Sequence, residues 1–179
     1  MSDICQSCGL CCDGTLFVSV PLEAGEVDWA RGRQLPMFEK EGVSFFRQRC
    51  ACFAADGLCS AYDSRPAACR RFRCHLLRRL EAGEVTENRA RAAVEQAKQL
   101  RDRTTKELPG DESLLKRVDA FVKSLGDSKA PPDGALLAFR REKRQLISDV
   151  VVLSLLLQQE FRGPKKDGQS DGKTEGDRL

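Results

Sequence analysis

Cys5, Cys8, Cys11 and Cys12 place four thiols within eight residues, in the order Cys-x2-Cys-x2-Cys-Cys. Cys50, Cys52, Cys59, Cys69 and Cys74 answer them downstream, and no cysteine occurs after residue 74. Thiolates are soft donors that select zinc, Cu(I) and iron–sulfur clusters over hard cations. A Cys-x2-Cys turn lets two sulfurs converge on one ion, and a threefold run of this spacing is the pattern that ligates iron–sulfur cubanes. Cys12 adds a constraint. Adjacent residues point their side chains apart, so Cys11 and Cys12 are not expected to share one tetrahedral ion. They serve two centres, or one polynuclear centre enlarged by bridging sulfur.

Composition decides how to read these thiols. The chain has 179 residues, 41% hydrophobic and 32% charged, which fits one globular domain, or a small domain with a helical extension. The start, Met1-Ser2-Asp3-Ile4-Cys5, has neither a basic segment nor an apolar stretch of the secretory type. The longest apolar run, Val150 to Leu157, is too short for a membrane span. The expected compartment is therefore the cytoplasm, where thiols stay reduced. Nine cysteines cannot all pair within one chain. Metal ligation is the preferred reading over a disulfide scaffold.

The elements that must position the sulfurs can be read from local pattern. Thr15 to Val20 is β-branched and aromatic and predicts a strand. Glu23 to Arg31 predicts a short helix, Gly32 and Pro36 break the chain beyond it, and Val43 to Phe53 predicts a second strand. Asp56-Gly57 marks a hairpin or tight knuckle with Cys52 and Cys59 on either side. Asp63-Ser64-Arg65-Pro66 is a helix start. Cys69 and Cys74 lie about 140° apart on an ideal helix. If they share a centre, the helix is irregular there or begins after Cys74.

Beyond residue 80 the pattern is helical. Ala90, Ala93, Val94, Ala97 and Leu100 form a small-residue stripe within Glu87 to Glu107. Leu114, Val118, Phe121 and Leu125 mark a second helix, and Ala135 to Phe161 predicts a third. The wide apolar face of the third, which includes Leu136, Phe139, Leu146, Val150 and Leu157, implies packing against the other helices or a protein partner. Gly163 to Leu179 carries a single aliphatic residue, at its end, and is expected to be disordered.

The cysteine pattern, together with Gly57-Leu58-Cys59-Ser60-Ala61-Tyr62, Arg65-Pro66-x2-Cys69-Arg70 and Phe72-x-Cys74, resembles the bacterial CxxCxxCC cysteine-cluster (YkgJ-type) family. The resemblance spans Cys5 to Cys74 and leaves the helices after residue 80 outside it. It implies a zinc- or iron-chelating domain with Cys5, Cys8, Cys11, Cys12, Cys52, Cys59, Cys69 and Cys74 as ligands. Cys50 is an addition in this chain and an alternative to Cys52. Some family members are similar to part of flagellin lysine methylases, which implies a link to redox or protein-modification chemistry without defining a reaction. Tyr62, Arg65 and Arg70 match the motif and are expected to brace the site through hydrogen bonds.

Six arginines and no acid fall between Ser64 and Leu80, within a chain of net charge +3. An ion or cubane held by four thiolates carries a net charge of about −2. The arginines are expected to offset that charge, with Arg70 and Arg73 nearest sulfur and Arg78 and Arg79 farther off. The competing use, nucleic-acid binding, is less favoured because little aromatic interleaving is present. His75 is the sole histidine and is expected to make an ordinary polar contact, and Trp29 is expected in the core. No P-loop, dinucleotide-binding motif, nucleophile elbow or HExxH is present, so the sequence marks no catalytic residue. The expected architecture is α+β: a cysteine-rich metal domain over 1–80, a helical extension over 81–162 and a tail over 163–179. The expected cofactor is an iron–sulfur cluster of the 4Fe-4S type, or zinc. A structural zinc module for protein binding is the alternative.

Overall fold

The computed structural model describes residues 3–126 and 141–164. Leu136, Phe139 and the tail from residue 165 lie outside them. The elements are α1 (Asp3–Cys8), β1 (Ser19–Pro21), a 3-10 turn (Ala24–Glu26), α2 (Val27–Gly32), β2 (Met37–Lys40), β3 (Val43–Arg47), α3 (Ala67–Arg71), α4 (His75–Glu81), α5 (Glu87–Glu107), α6 (Leu114–Gly126), α7 (Arg144–Leu156) and a π-helical turn (Leu157–Arg162). The class is α+β, as the sequence implied. Among the described residues no helix is long and apolar enough to cross a membrane.

The sheet is antiparallel with order β1-β3-β2. Its central strand is β3, with Phe45 and Phe46 nearly fully buried. The first strand is shorter than the Thr15–Val20 pattern predicts. The Thr15 N–H is taken by Asp13 Oδ1 at 2.8 Å, and the Leu16 N–H by the Leu10 carbonyl at 3.0 Å. Those donors are spent on the cysteine loop, so sheet pairing begins only at Ser19↔Arg47. The predicted second strand likewise stops at Arg47, and its last residues form the turn that carries Cys50 and Cys52. Strand β2 was not foreseen. It joins β3 through a two-residue turn, Glu41-Gly42, in which both residues have positive φ. Glycine suits such a turn, whereas Glu41 at φ 52° is an uncommon occupant.

Two main cores result. One gathers Leu10 and Leu16, Leu76 of α4, the Ala90–Ala97 stripe and Leu100 of α5, Leu153 of α7, and Phe161. Ala90, Ala93 and Ala97 are fully buried, which lets α7 lie close along α5. The other lies under the sheet and holds Val20, Leu22, Ala30, Leu35, Phe46 and Ala61. A small satellite of Phe121, Leu146 and Val150 joins α6 to α7. The first core continues through residue 80 without a break, because α1 and α4 both pack on α5.

Ion pairs fasten these helices. Arg103 donates to both carboxylate oxygens of buried Asp149, at 2.9 and 3.0 Å, and so clamps α5 to α7. Glu160 accepts from Arg79 of α4 at 3.1 Å and from Arg89 of α5 at 2.5 Å. Asp13, one residue after the cysteine pair, accepts from Arg101 of α5 at 2.5 Å, and Lys98 donates to the Ser7 carbonyl at 3.4 Å. Helix α5 therefore holds the cysteine loop directly.

Candidate metal centre

All nine cysteines line one cavity of about 270 Å³ between the two main cores. Each reaches it by a different local device. Cys5 and Cys8 stand three apart on α1, a spacing that places them on one helix face. Cys11 and Cys12 sit in the next turn, closed by the Cys12 and Asp13 N–H groups on the Gly9 carbonyl. Gly9 has φ +72° and faces the Phe53 ring so closely that a Cβ there would lie 2.5 Å from it.

Cys52 and Cys59 flank a knuckle at Asp56-Gly57, as the turn signal implied. Phe53 bridges Cys59, Ala54 N–H donates to the Leu58 carbonyl, and Asp56 accepts from Leu58 N–H. Cys69 lies on α3. Cys74 is the N-cap of α4, its Sγ accepting from Leu77 N–H at 3.4 Å. The helix does begin after Cys74, so Cys69 and Cys74 occupy different helices.

The thiols fall into two neighbour sets. Cys8, Cys11 and Cys74 pack on the α1/α4/α5 core, whereas Cys50, Cys52, Cys59 and Cys69 pack on the core beneath the sheet. Cys11 has Cys8, Cys12, Cys74 and Cys5 as neighbouring thiols, and Cys12 has Cys59, Cys50 and Cys69. The thiols are neighbours rather than a finished coordination shell. Among the described residues, no three His, Cys, Asp or Glu side chains converge as a bound ion requires.

Burial dominates the titration of these groups. It pushes Cys8 and Cys50 up to about 12 and Cys69 to about 11, and it raises Cys11, Cys12, Cys59 and Cys74 as well. Backbone N–H groups act in the opposite sense. Leu10 acts so on Cys8, Cys52 on Cys50, Ala61 on Cys59, and Leu77 on Cys74, whose Sγ accepts the Leu77 N–H at 3.4 Å. Such donors stabilise thiolate over thiol. The pocket is thus arranged for anionic sulfur but, without a cation, keeps its thiols protonated.

These shifts make stability depend on pH. An unfolded thiol titrates near about 8.5, while the buried ones hold their protons to about 11 or 12. The metal-free fold therefore keeps this contribution below the unfolded value and loses it as pH rises through the native one. Urea midpoints of the metal-free protein should fall between pH 8 and pH 10.5, and an unchanged midpoint would contradict this. Metal-bound protein should instead weaken towards acid, because protons compete for the sulfurs.

Arg65 and Tyr62 lie on the cavity wall. The Arg65 guanidinium stacks 3.4 Å from the Tyr62 ring centroid, and its Nε donates to the Tyr62 carbonyl at 2.6 Å. Its positive charge lowers the pKa of Cys59 and Cys69 against the effect of burial. Arg70 donates to the Arg65 carbonyl, so it supports Arg65 from outside the wall. Arg73 turns to the Arg70 and Phe72 carbonyls and to Glu81. Among the described residues, the arginines whose charge acts most on sulfur are therefore Arg65, at Cys59 and Cys69, and Arg78, at Cys74. They replace Arg70 and Arg73 in the expected order.

His75 packs against Gly163, where an added Cβ would come within 2.7 Å of its ring, and it is not on the cavity wall. Trp29 packs against the sheet-side core and also reaches the wall. With Gln48 it was not anticipated as part of the site, since nothing in the local sequence marks either residue. Trp29 Nε1, Gln48 Oε1 and Tyr62 Oη are buried and without a hydrogen-bond partner among the described residues.

A family model, CxxCxxCC, described as "Putative zinc- or iron-chelating domain", matches residues 4–105. The match extends beyond the Cys5–Cys74 motifs into α5, the helix whose Lys98 and Arg101 hold the cysteine loop. No curated protein and no solved structure is detectably similar. With all nine cysteines inside a match that covers more than half of the chain, the protein belongs to the CxxCxxCC family.

Proposed function

We propose that the protein is a thiolate metalloprotein that holds iron as an iron–sulfur cluster and uses it in electron transfer. The observation that carries this reading is the cavity. Nine sulfurs line it, with no histidine or carboxylate on its wall among the described residues. A sulfur-only donor set selects soft metal ions and clusters. Its volume of about 270 Å³ far exceeds the space of a single ion held at about 2.3 Å from sulfur. Bridging sulfide would use that room, and the cluster would supply one-electron chemistry. The cytoplasm is the matching compartment.

The proposed ligands are Cys5, Cys8, Cys11, Cys12, Cys52, Cys59, Cys69 and Cys74, with Cys50 as a neighbour of Cys52 and the alternative to it. Arg65 and Arg78 offset the thiolate charge, and Tyr62 and Arg70 hold Arg65 in place. The test is anaerobic purification. The expected protein is brown, absorbs at roughly 400 nm, contains acid-labile sulfide and bleaches on reduction. Cys52→Ser should lose most of the colour and Cys50→Ser little. Colourless protein with stoichiometric zinc and no sulfide, even after reconstitution with iron and sulfide, would replace this reading with a structural zinc module.

A further inference from the structure

Building on that metal reading, we infer that the thiols form two adjacent centres: Cys5, Cys8, Cys11 and Cys74 in one, and Cys12, Cys59 and Cys69 with Cys52 in the other. The division rests on packing. Cys8, Cys11 and Cys74 rest on the core built by α1, α4 and α5, and Cys5 shares the α1 face of Cys8. Cys52, Cys59 and Cys69 rest on the core beneath the sheet, which contains none of the first set. Cys12 joins the second set through its backbone, because its carbonyl accepts the Cys50 N–H at 2.9 Å.

A single four-ligand centre would leave five of the nine thiols on the cavity wall unused. Two centres use eight and leave one, on the side where Cys50 and Cys52 stand together. The two sets meet at the Cys11–Cys12 peptide. Consecutive Cα atoms lie about 3.8 Å apart, so that peptide ties the two centres side by side. Electrons would pass readily between them, and their unpaired spins would interact.

The experiment uses the full chain, reconstituted anaerobically with iron and sulfide. Two cubanes give about eight iron and eight sulfide per chain, and the reduced protein should show an electron paramagnetic resonance spectrum broadened by spin–spin interaction. Cys74→Ser and Cys69→Ser should each retain about half of the iron, with the interaction gone. About four iron per wild-type chain, with an isolated-spin spectrum, would overturn the division while leaving the metal reading intact. Should either variant fail to fold, the wild-type count and spectrum still decide. If the protein takes zinc instead, two zinc per chain supports the division and one overturns it. Uptake of neither metal overturns the reading on which the division rests.

Discussion

Stripping the bound metal from the anaerobic protein is expected to lower its melting temperature by about 20 °C or more. Thiolate-bound metal contributes about 10–16 kcal/mol in small structural sites. A whole domain is stable by only about 5–15 kcal/mol. Here the sulfurs sit between two cores, so their cation joins halves that otherwise meet around a cavity. The loss should not be uniform. Helices α5 and α7 share the alanine stripe and the Arg103–Asp149 clamp, neither of which involves sulfur. Amide exchange should therefore collapse first in residues 3–74 and last in α5 and α7. A melting temperature that moves by only a few degrees, with protection unchanged near the cysteines, would mean that the fold does not depend on metal.

Arg101→Ala should cost about 3 kcal/mol, because removing one partner of a buried ion pair leaves the other charge uncompensated. For a chain of this size that is roughly 6–12 °C in melting temperature. The partner is Asp13, whose side chain is 9% exposed, against 16% for Arg101. The exposed Arg91–Glu87 pair on the same helix is the control. Arg91→Ala should cost less than about 0.5 kcal/mol. Because Asp13 comes directly after Cys12 and also caps Thr15 N–H, Arg101→Ala should weaken metal retention too. Asp13→Asn with Arg101→Gln should recover part of the stability, since neither residue then carries a lone buried charge. Equal and small losses for Arg101→Ala and Arg91→Ala would remove α5 from its role in holding the cysteine loop.

Much of this was legible in the chain because it was local. The alanine stripe gave α5 its ends and its buried face, and Asp56-Gly57 gave the knuckle between Cys52 and Cys59. Strand β2 was hidden because Glu39, Lys40 and Glu41 mask its pattern and the turn is Glu-Gly rather than Asn-Gly. The thiol neighbourhoods were hidden for a different reason. Which core a cysteine rests on depends on contacts between distant segments, such as Cys12 with Cys50. Distance along the chain misplaced the arginines in the same way. Arg70 and Arg73 lie next to cysteines in sequence yet turn to backbone carbonyls, whereas Arg65 faces two sulfurs from the cavity wall.

The most direct test of the central claim is native mass spectrometry of anaerobically purified wild-type protein, repeated after acid denaturation. A thiolate iron–sulfur protein should show a native mass above the 19.9 kDa chain by whole numbers of iron and sulfide, all lost in acid. A native mass equal to that of the bare chain, unchanged after reconstitution with iron and sulfide or with zinc, would contradict the account.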